Sequence, residues 1–100
     1  MTILYHWVIT KDLITEPEHD MDEAGTYGPA GATLTAEQIQ NHSLGLAFQM
    51  RDADGTVYYE GVYVGPDDET LFAPLDDFGT PNAGCTEIAY RNALGEWEWL

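Results

Sequence analysis

Residues 44–65 read LGLAFQMRDADGTVYYEGVYVG, two alternating β-strands around a turn at Asp54 and Gly55. The Asp-Gly dipeptide is favoured in two-residue type I′ hairpin turns. A one-residue shift of register would bring Glu60 among the apolar positions, because side chains alternate with period two. We therefore expect one apolar, aromatic face, whether the loop has two residues or spans 52–55. The expected cross-strand pairs are Ala53 with Thr56, Met50 with Tyr59, Phe48 with Gly61, and Leu46 with Tyr63.

A second hairpin is expected near the end of the chain. Residues 85–91, CTEIAYR, and residues 96–100, EWEWL, flank a turn over residues 92–95, NALG. Alternation divides the side chains of the last strand into two sets, with Trp97 and Trp99 on one face and Glu96 and Glu98 on the other. The aromatic side chains are expected to belong to the core rather than to a site, namely Trp7, Tyr59, Tyr63, Trp97 and Trp99.

The first strand and the helix complete the pattern. Residues 3–10, ILYHWVIT, are largely apolar on both faces, which is typical of a central strand covered on two sides. His6 in that strand is expected to be a neutral, hydrogen-bonded core residue. Residues 33–42, TLTAEQIQNH, predict the helix, with Thr35 as its cap and Gln38 completing a capping box.

Residues 70–73, TLFA, fit a brief fourth strand, and residues 74–84 fit an irregular loop whose Leu75 and Phe78 pack back onto the core. Together these elements predict a single α+β domain over residues 1–100. Its antiparallel sheet has about five strands, including two hairpins, and one short α-helix packs on one face.

Composition places the chain among folded proteins. A hydrophobic content of 44% with 12% aromatic residues excludes intrinsic disorder for most of its 100 residues. No apolar run approaches the ~18 residues of a membrane span, and the amino terminus does not resemble a secretory signal. The single cysteine, Cys85, forms no internal disulfide. We therefore expect a cytoplasmic protein.

Charge is the extreme feature of the sequence. Asp and Glu number 18 against 3 Lys and Arg, so the formal net charge is −15. Such a surface repels nucleic acids and anionic membranes, and it favours association with basic proteins. We expect no direct contact with nucleic acid or membrane.

Two stretches concentrate the acidic residues, EPEHDMDE at 16–23 and DDE at 67–69. The first is interpreted most simply as a solvated, self-repelling loop. A divalent-cation site of Asp20, Asp22 and Glu23 with His19 is an alternative, but the spacing matches no known loop. The third interpretation makes both stretches a contact surface for a basic partner, with these carboxylates as its residues: Glu16, Glu18, Asp20, Asp22, Glu23, Asp67, Asp68 and Glu69.

Motifs for catalysis and cofactor binding are missing from the sequence. The segment Asp52-Ala53-Asp54-Gly55 resembles part of an EF-hand loop, but Met50 occupies the first ligand position and strands flank the turn. Cys85 with His6 would be a minimal thiol and base, but nothing in the sequence brings them together. No glycine-rich phosphate loop, CxxC pair or HExxH segment is present. We expect a non-enzymatic protein without a cofactor.

The charge has two competing explanations. Carboxylates two apart on a strand, such as Glu96 and Glu98, lie about 6.6 to 6.8 Å apart, and backbone phosphates of DNA follow one another every ~3.4 Å of axis. The protein would then be a decoy for a Lys/Arg-lined groove. In size and charge it resembles small acidic inhibitors of mobile elements, of the anti-CRISPR and anti-restriction kinds. Alternatively, the charge is an adaptation to high salt, with carboxylates spread over the whole surface.

A small binding or accessory module is the third functional hypothesis. Residues 11–32 and 74–84 are irregular in sequence and punctuated by Gly and Pro, and long loops in compact domains are often functional. Tyr27, Phe78 and Asn82 are the expected contacts of such a module. It would need a pocket between the two loops rather than a charged convex surface.

Overall fold

A computed structural model describes residues 5–14 and 22–100 of the chain. Residues 3–4 of the predicted first strand lie outside that part. Within it, six antiparallel strands form one sheet in the order β2-β1-β4-β3-β5-β6. The strands are β1 His6–Asp12, β2 Tyr27–Gly28, β3 Leu46–Arg51, β4 Val57–Val64, β5 Glu87–Arg91 and β6 Trp97–Trp99. The predicted α+β fold is confirmed, with slightly more strands than expected.

The central hairpin has the predicted register. Met50 pairs with Tyr59 and Phe48 with Gly61, in the β3–β4 ladder. The same residues are buried and their neighbours are only partly covered, so the apolar face is the one that alternation predicts. The strong alternation of β4 was sufficient to predict the register, because a slipped register would bury Glu60.

The turn of this hairpin differs from the type I′ prediction. The Asp52 N–H donates to the Thr56 carbonyl (3.1 Å), so the loop has three residues and the predicted pair of Ala53 with Thr56 does not form. Gly55 has a φ of 86°, whereas Asp54 does not have the positive φ that type I′ requires. The Asp52 carboxylate explains why the three-residue loop forms instead of a type I′ turn, because it accepts hydrogen bonds from the N–H groups of Asp54 and Thr56.

The second hairpin is present and repeats this turn. The Asn92 N–H donates to the Glu96 carbonyl (2.8 Å), and the Asn92 side-chain oxygen accepts from the N–H groups of Leu94 and Glu96. Gly95 has a φ of 81°. An Asx residue followed three positions later by Gly therefore produces the same loop in both hairpins.

The helix α1, Ala36–Gln40, begins after Thr35 as predicted. The Gln38 N–H donates to the Thr35 hydroxyl (3.2 Å) and the Thr35 N–H donates to the Gln38 side chain (2.9 Å), which completes the capping box. Ile39 is its buried residue. The helix packs over β1 and β4 and leaves the other half of that sheet face without a helix.

The segment that connects β4 to β5 covers the opposite face of the sheet. Both strands are antiparallel to β3, which lies between them, so they run parallel and need a crossover. The predicted strand at 70–73 is wrong, because Glu69–Phe72 is a 3-10 helix. The predicted irregular loop is largely helical, with a π-helical turn, Leu75–Gly79, and the helix α2, Thr80–Ala83.

Tertiary contacts explain why these residues are helical. Asp68 caps the 3-10 helix through the Thr70 N–H (2.8 Å), and the Tyr90 hydroxyl donates to the Leu71 carbonyl (2.6 Å). Leu75 and Phe78 pack against the sheet, as the sequence predicts. The main core thus lies between the sheet and the crossover, and its buried members are Trp7, Ile9, Phe48, Met50, Tyr59, Tyr63, Leu75, Phe78, Cys85, Ile88 and Tyr90.

Candidate functional site

The predicted contact carboxylates that the structure describes do not form one patch. Glu16, Glu18 and Asp20 lie outside the described residues. The Glu23 N–H donates to Asp12 (2.9 Å) at the end of β1, whereas residues 67–69 follow β4 where Val64 pairs with His6 at the start of β1. The six residue steps from His6 to Asp12 correspond to roughly 20 Å. The pair Asp22 and Glu23 is therefore at the opposite end of the sheet from Asp67, Asp68 and Glu69.

Residues 67–69 instead join other carboxylates around the crossover. Residues 65–84 contain five Asp and Glu and no Lys, Arg or His. Glu98 belongs to the same face, because it pairs with Tyr90, whose side chain contributes to the core under the crossover. All of these carboxylate residues are exposed. We call this surface the acidic face, and it consists of Asp67, Asp68, Glu69, Asp76, Asp77 and Glu98.

Two carboxylates of the acidic face are engaged in the fold. Asp68 accepts hydrogen bonds from the Thr70 hydroxyl (2.6 Å) and N–H (2.8 Å), and these bonds hold the pKa of Asp68 below its usual value. Asp77 accepts from the Tyr5 hydroxyl and the Trp7 indole, both at 3.1 Å.

The other four carboxylates make no hydrogen bond or ion pair with another residue of the described chain: Asp67, Glu69, Asp76 and Glu98. These four are free to contact a partner. Sequence alone did not separate them from the two structural carboxylates, because Asp68 lies directly between Asp67 and Glu69.

A cleft of 240 Å³ lies at the edge of the acidic face. Its apolar residues include Leu46, Leu71 and Leu100, its acidic residues are Asp67 and Glu98, and Arg91 also lines it. Leu46 is 39% exposed and Leu100 is 48% exposed. The cleft can therefore accept an apolar side chain while carboxylates contact cations beside it.

The basic residues lie on the opposite face of the sheet. Lys11 pairs with Glu60 (3.6 Å), because a β-bulge after Ile9 brings Lys11 beside Glu60. In the same face Arg51 pairs with Glu87 (3.0 Å).

Arg91 lies beside Trp97, its neighbour in the β5–β6 pairing. The 3 Lys and Arg residues of the chain thus all belong to this face, and Arg91 also reaches the edge of the cleft beside Glu98. We call the face of these residues the open sheet face, defined by Lys11, Gln49, Arg51, Glu60, Glu87, Arg91, Trp97 and Trp99.

Trp97 and Trp99 are half-buried on the open sheet face rather than core residues. Trp7, Tyr59 and Tyr63 are buried, as predicted. The difference arises because α1 is short and does not reach β5 and β6, so the two tryptophans have no helix above them.

The thiol and the imidazole lie on opposite faces of the sheet. Cys85 is fully buried in the core beneath the crossover, and burial raises the pKa of the Cys85 thiol to about 11. His6 alternates with Trp7 and faces the α1 side, where its Nε2 accepts from the Thr33 N–H (3.4 Å). Burial and the nearby His42 lower the pKa of His6. His6 is a neutral, hydrogen-bonded residue and does not contact the thiol.

The contacts expected of a loop module are not brought together. Tyr27 is 48% exposed in the edge strand β2, whereas Phe78 is only 4% exposed in the core. The Asn82 amide donates to the Phe78 carbonyl (2.9 Å) and stabilises the helical segment. Phe78 is therefore a core residue and not a ligand contact.

In residues 5–14 and 22–100, no three His, Cys, Asp or Glu side chains are grouped closely enough to hold a metal ion. Asp20 and His19 of the alternative cation site lie outside those residues. The helices in the same part of the chain are too short or too polar to cross a membrane. Comparisons of the chain with protein-family profiles, with curated proteins and with solved structures found no significant match.

Proposed function

We propose that this protein is a non-enzymatic acidic protein whose acidic face binds a basic surface of another protein. The observation that supports the proposal is the one-sided distribution of charge. Five carboxylates and no cation occupy residues 65–84, and the Lys and Arg of the chain belong to the opposite face, with Arg91 also reaching the edge of the cleft. A cationic partner would meet attraction on the acidic face without competing cations in the crossover.

The cleft beside Asp67 and Glu98 supplies the second element of such an interface. Binding energy at protein interfaces is concentrated in a few well-packed anchors, and charges around them raise the association rate and fix orientation. An apolar partner side chain would enter between Leu46 and Leu71. Lys or Arg on either side of it would contact the free carboxylates.

The partner class that fits this surface is a nucleic-acid-binding protein with a Lys/Arg-lined groove. The protein would occupy that groove in place of a phosphate backbone and act as an inhibitor of the anti-CRISPR or anti-restriction kind. It would work in the cytoplasm, where such targets meet DNA. The acidic stretch 16–23, of which the structure describes Asp22 and Glu23, would add charge and is a secondary part of the proposed surface.

The test reverses the free carboxylates. In the triple variant Asp67→Lys, Glu69→Lys and Asp76→Lys, the structural Asp68 and Asp77 are kept. The matched control is Glu37→Lys, Asp54→Lys and Glu87→Lys, three carboxylates outside the acidic face, which changes the net charge by the same amount. Purified Cas nucleases and restriction enzymes are then assayed for DNA binding with each protein, at low salt and at about half-molar salt, where screening is strong.

The proposal predicts inhibition by the wild type and the control at low salt, and loss of inhibition by the acidic-face variant. Thermal melting in both buffers shows whether each protein is folded. Equal inhibition by both triple variants would contradict a role for the acidic face. No inhibition, together with folding that requires high salt, would mean that the charge is an adaptation to salt.

A further inference from the structure

We propose that the open sheet face contains a second binding site, for a small aromatic carboxylate. A groove of 360 Å³ runs across this face, lined among others by Lys11, Gln40, Ala47, Glu60 and Trp97. Its size falls in the range of about 300–1,000 Å³ that is typical of small-molecule sites. The groove exists because α1 has only five residues and packs mainly on β1 and β4.

Arg51, Trp99 and Glu87 form a neighbouring trio of side chains, which shows that the groove, in the described part of the chain, lacks a carboxylate beside its own arginine and tryptophan. The Arg51 guanidinium lies 3.6 Å from the centre of the Trp99 ring, and it forms an ion pair with Glu87 at 3.0 Å. Arginine, aromatic ring and carboxylate together make a complete, mutually stabilising set. The Trp99 ring in this trio is already covered by Arg51, and the charge of the guanidinium is already neutralised by Glu87.

Arg91 and Trp97 repeat the first two members of that trio without the third. The Arg91 guanidinium carbon lies 5.9 Å from the centre of the Trp97 ring, and its Nε donates to the Gly95 carbonyl (3.2 Å). No carboxylate of residues 5–14 or 22–100 pairs with Arg91. The remaining guanidinium donors can hold a ligand carboxylate in the two-point geometry that arginine favours.

The rest of the groove favours a flat ligand. Ala47 and Val62 form a small apolar floor, and the less crowded Trp97 ring offers a surface for stacking. The Gln40 side chain and the Thr10 hydroxyl provide polar groups at the sides.

The local charge also favours an anion. The groove lining contains two cations, Lys11 and Arg91, and one carboxylate, Glu60, so its net charge is +1. The chain as a whole has a net charge of −15. Attraction between this groove and an anionic ligand is local, so it does not depend on the acidic face. The two proposals can therefore fail separately.

The test is a titration of the ¹⁵N-labelled protein, followed by NMR, with indole-3-acetate, its neutral analogue indole-3-acetamide, and acetate. Indole-3-acetate is expected to shift the Trp97 indole and Gln40 amide signals saturably at millimolar concentration. The amide and acetate are each expected to bind about tenfold more weakly, since each lacks one of the two interactions. This comparison uses the wild-type protein and needs no variant to fold.

Variants then assign the site. Arg91→Gln is expected to weaken indole-3-acetate about tenfold, the loss of one charge-assisted contact. The control Arg51→Gln removes the arginine that is already paired with Glu87 and is expected to leave the affinity unchanged. Binding of the amide as tight as that of the acid, absence of saturable shifts at the groove, or equal losses in the two variants would each overturn the proposal.

Discussion

The Asp77 carboxylate accepts a hydrogen bond from the Trp7 indole, with a distance of 3.1 Å between Oδ2 and Nε1. Trp7 is 4% exposed in β1, and Asp77 belongs to the crossover, seventy residues further along the chain. The Tyr5 hydroxyl donates to the same oxygen. This contact joins the crossover to the opposite half of the sheet, and it gives one carboxylate of the acidic face a structural role.

Asp77→Ala is therefore expected to lower the free energy of unfolding by about 2 kcal/mol, because the nearly buried indole N–H loses a charged acceptor. The adjacent Asp76 is exposed and makes no such contact, so Asp76→Ala is expected to change stability by less than about 0.5 kcal/mol. Urea denaturation of the two variants measures the difference. Equal losses would mean that the indole bond contributes nothing and that only the charge matters.

The Asp52 turn predicts a second pair of variants. Asp52→Ala is expected to lower the melting temperature more than Asp54→Ala does, because Asp52 accepts from Asp54 N–H, Thr56 N–H and the Tyr58 hydroxyl. Asp52→Asn is expected to keep the turn, since Asn92 forms the same loop in the second hairpin. Thermal melting ranks the three proteins. A melting temperature of Asp52→Asn as low as that of Asp52→Ala would contradict this account.

Asp52 also predicts how the free energy of unfolding changes at acidic pH. Backbone hydrogen bonds, that of Thr56 above all, lower the pKa of Asp52 in the folded protein. A lowered pKa means that the contribution of Asp52 to stability is present above the unfolded pKa and is lost as pH falls through the folded pKa. The unfolding free energy of wild type should thus decrease more steeply below about pH 4 than that of Asp52→Asn. Parallel curves would exclude this contribution.

His6 predicts how the free energy of unfolding changes with pH closer to neutrality. Burial is the main cause that lowers the pKa of His6, and His42 adds to it. The unfolded chain then binds a proton that the folded chain resists, so stability falls as pH drops below about 6.5 and levels off below the folded pKa. His6→Gln is expected to flatten the slope of unfolding free energy between about pH 7 and 5.

The control for His6 is His42→Gln, which is expected to keep most of that slope because burial of His6 is unchanged. Denaturation curves at matched ionic strength compare the three proteins. Retention of the full slope in His6→Gln would show that other groups are responsible for it.

Cys85 predicts slow chemistry of the thiol. The side chain is fully buried and the pKa of the Cys85 thiol is raised to about 11, so little thiolate exists at neutral pH. Reaction with a disulfide reagent is expected to require opening of the core and to accelerate with urea. The control is a variant with Cys85→Ala and Ser43→Cys, since Ser43 is exposed. A wild-type rate equal to that of the control would contradict burial of the thiol.

Local sequence patterns were sufficient to predict the elements whose stabilising contacts are close in sequence. The register of β3 and β4 follows from alternation, because a slip would bury Glu60. The start of α1 follows from Thr35 and Gln38, three residues apart. The separation of Trp97 and Trp99 from Glu98 follows from the same alternation in β6.

Tertiary structure decided the features that depend on distant partners. The 3-10 helix replaces a predicted strand because Tyr90 and Asp68 satisfy its backbone, and Asp77 has a structural role because Trp7 is its donor. Asp22 and Glu23 lie at the opposite end of the sheet from residues 67–69, and Arg91 lies beside Trp97 without an ion pair to a carboxylate of the described chain. Composition counts charges but does not place them, because their positions depend on which strands become neighbours and which face each side chain occupies.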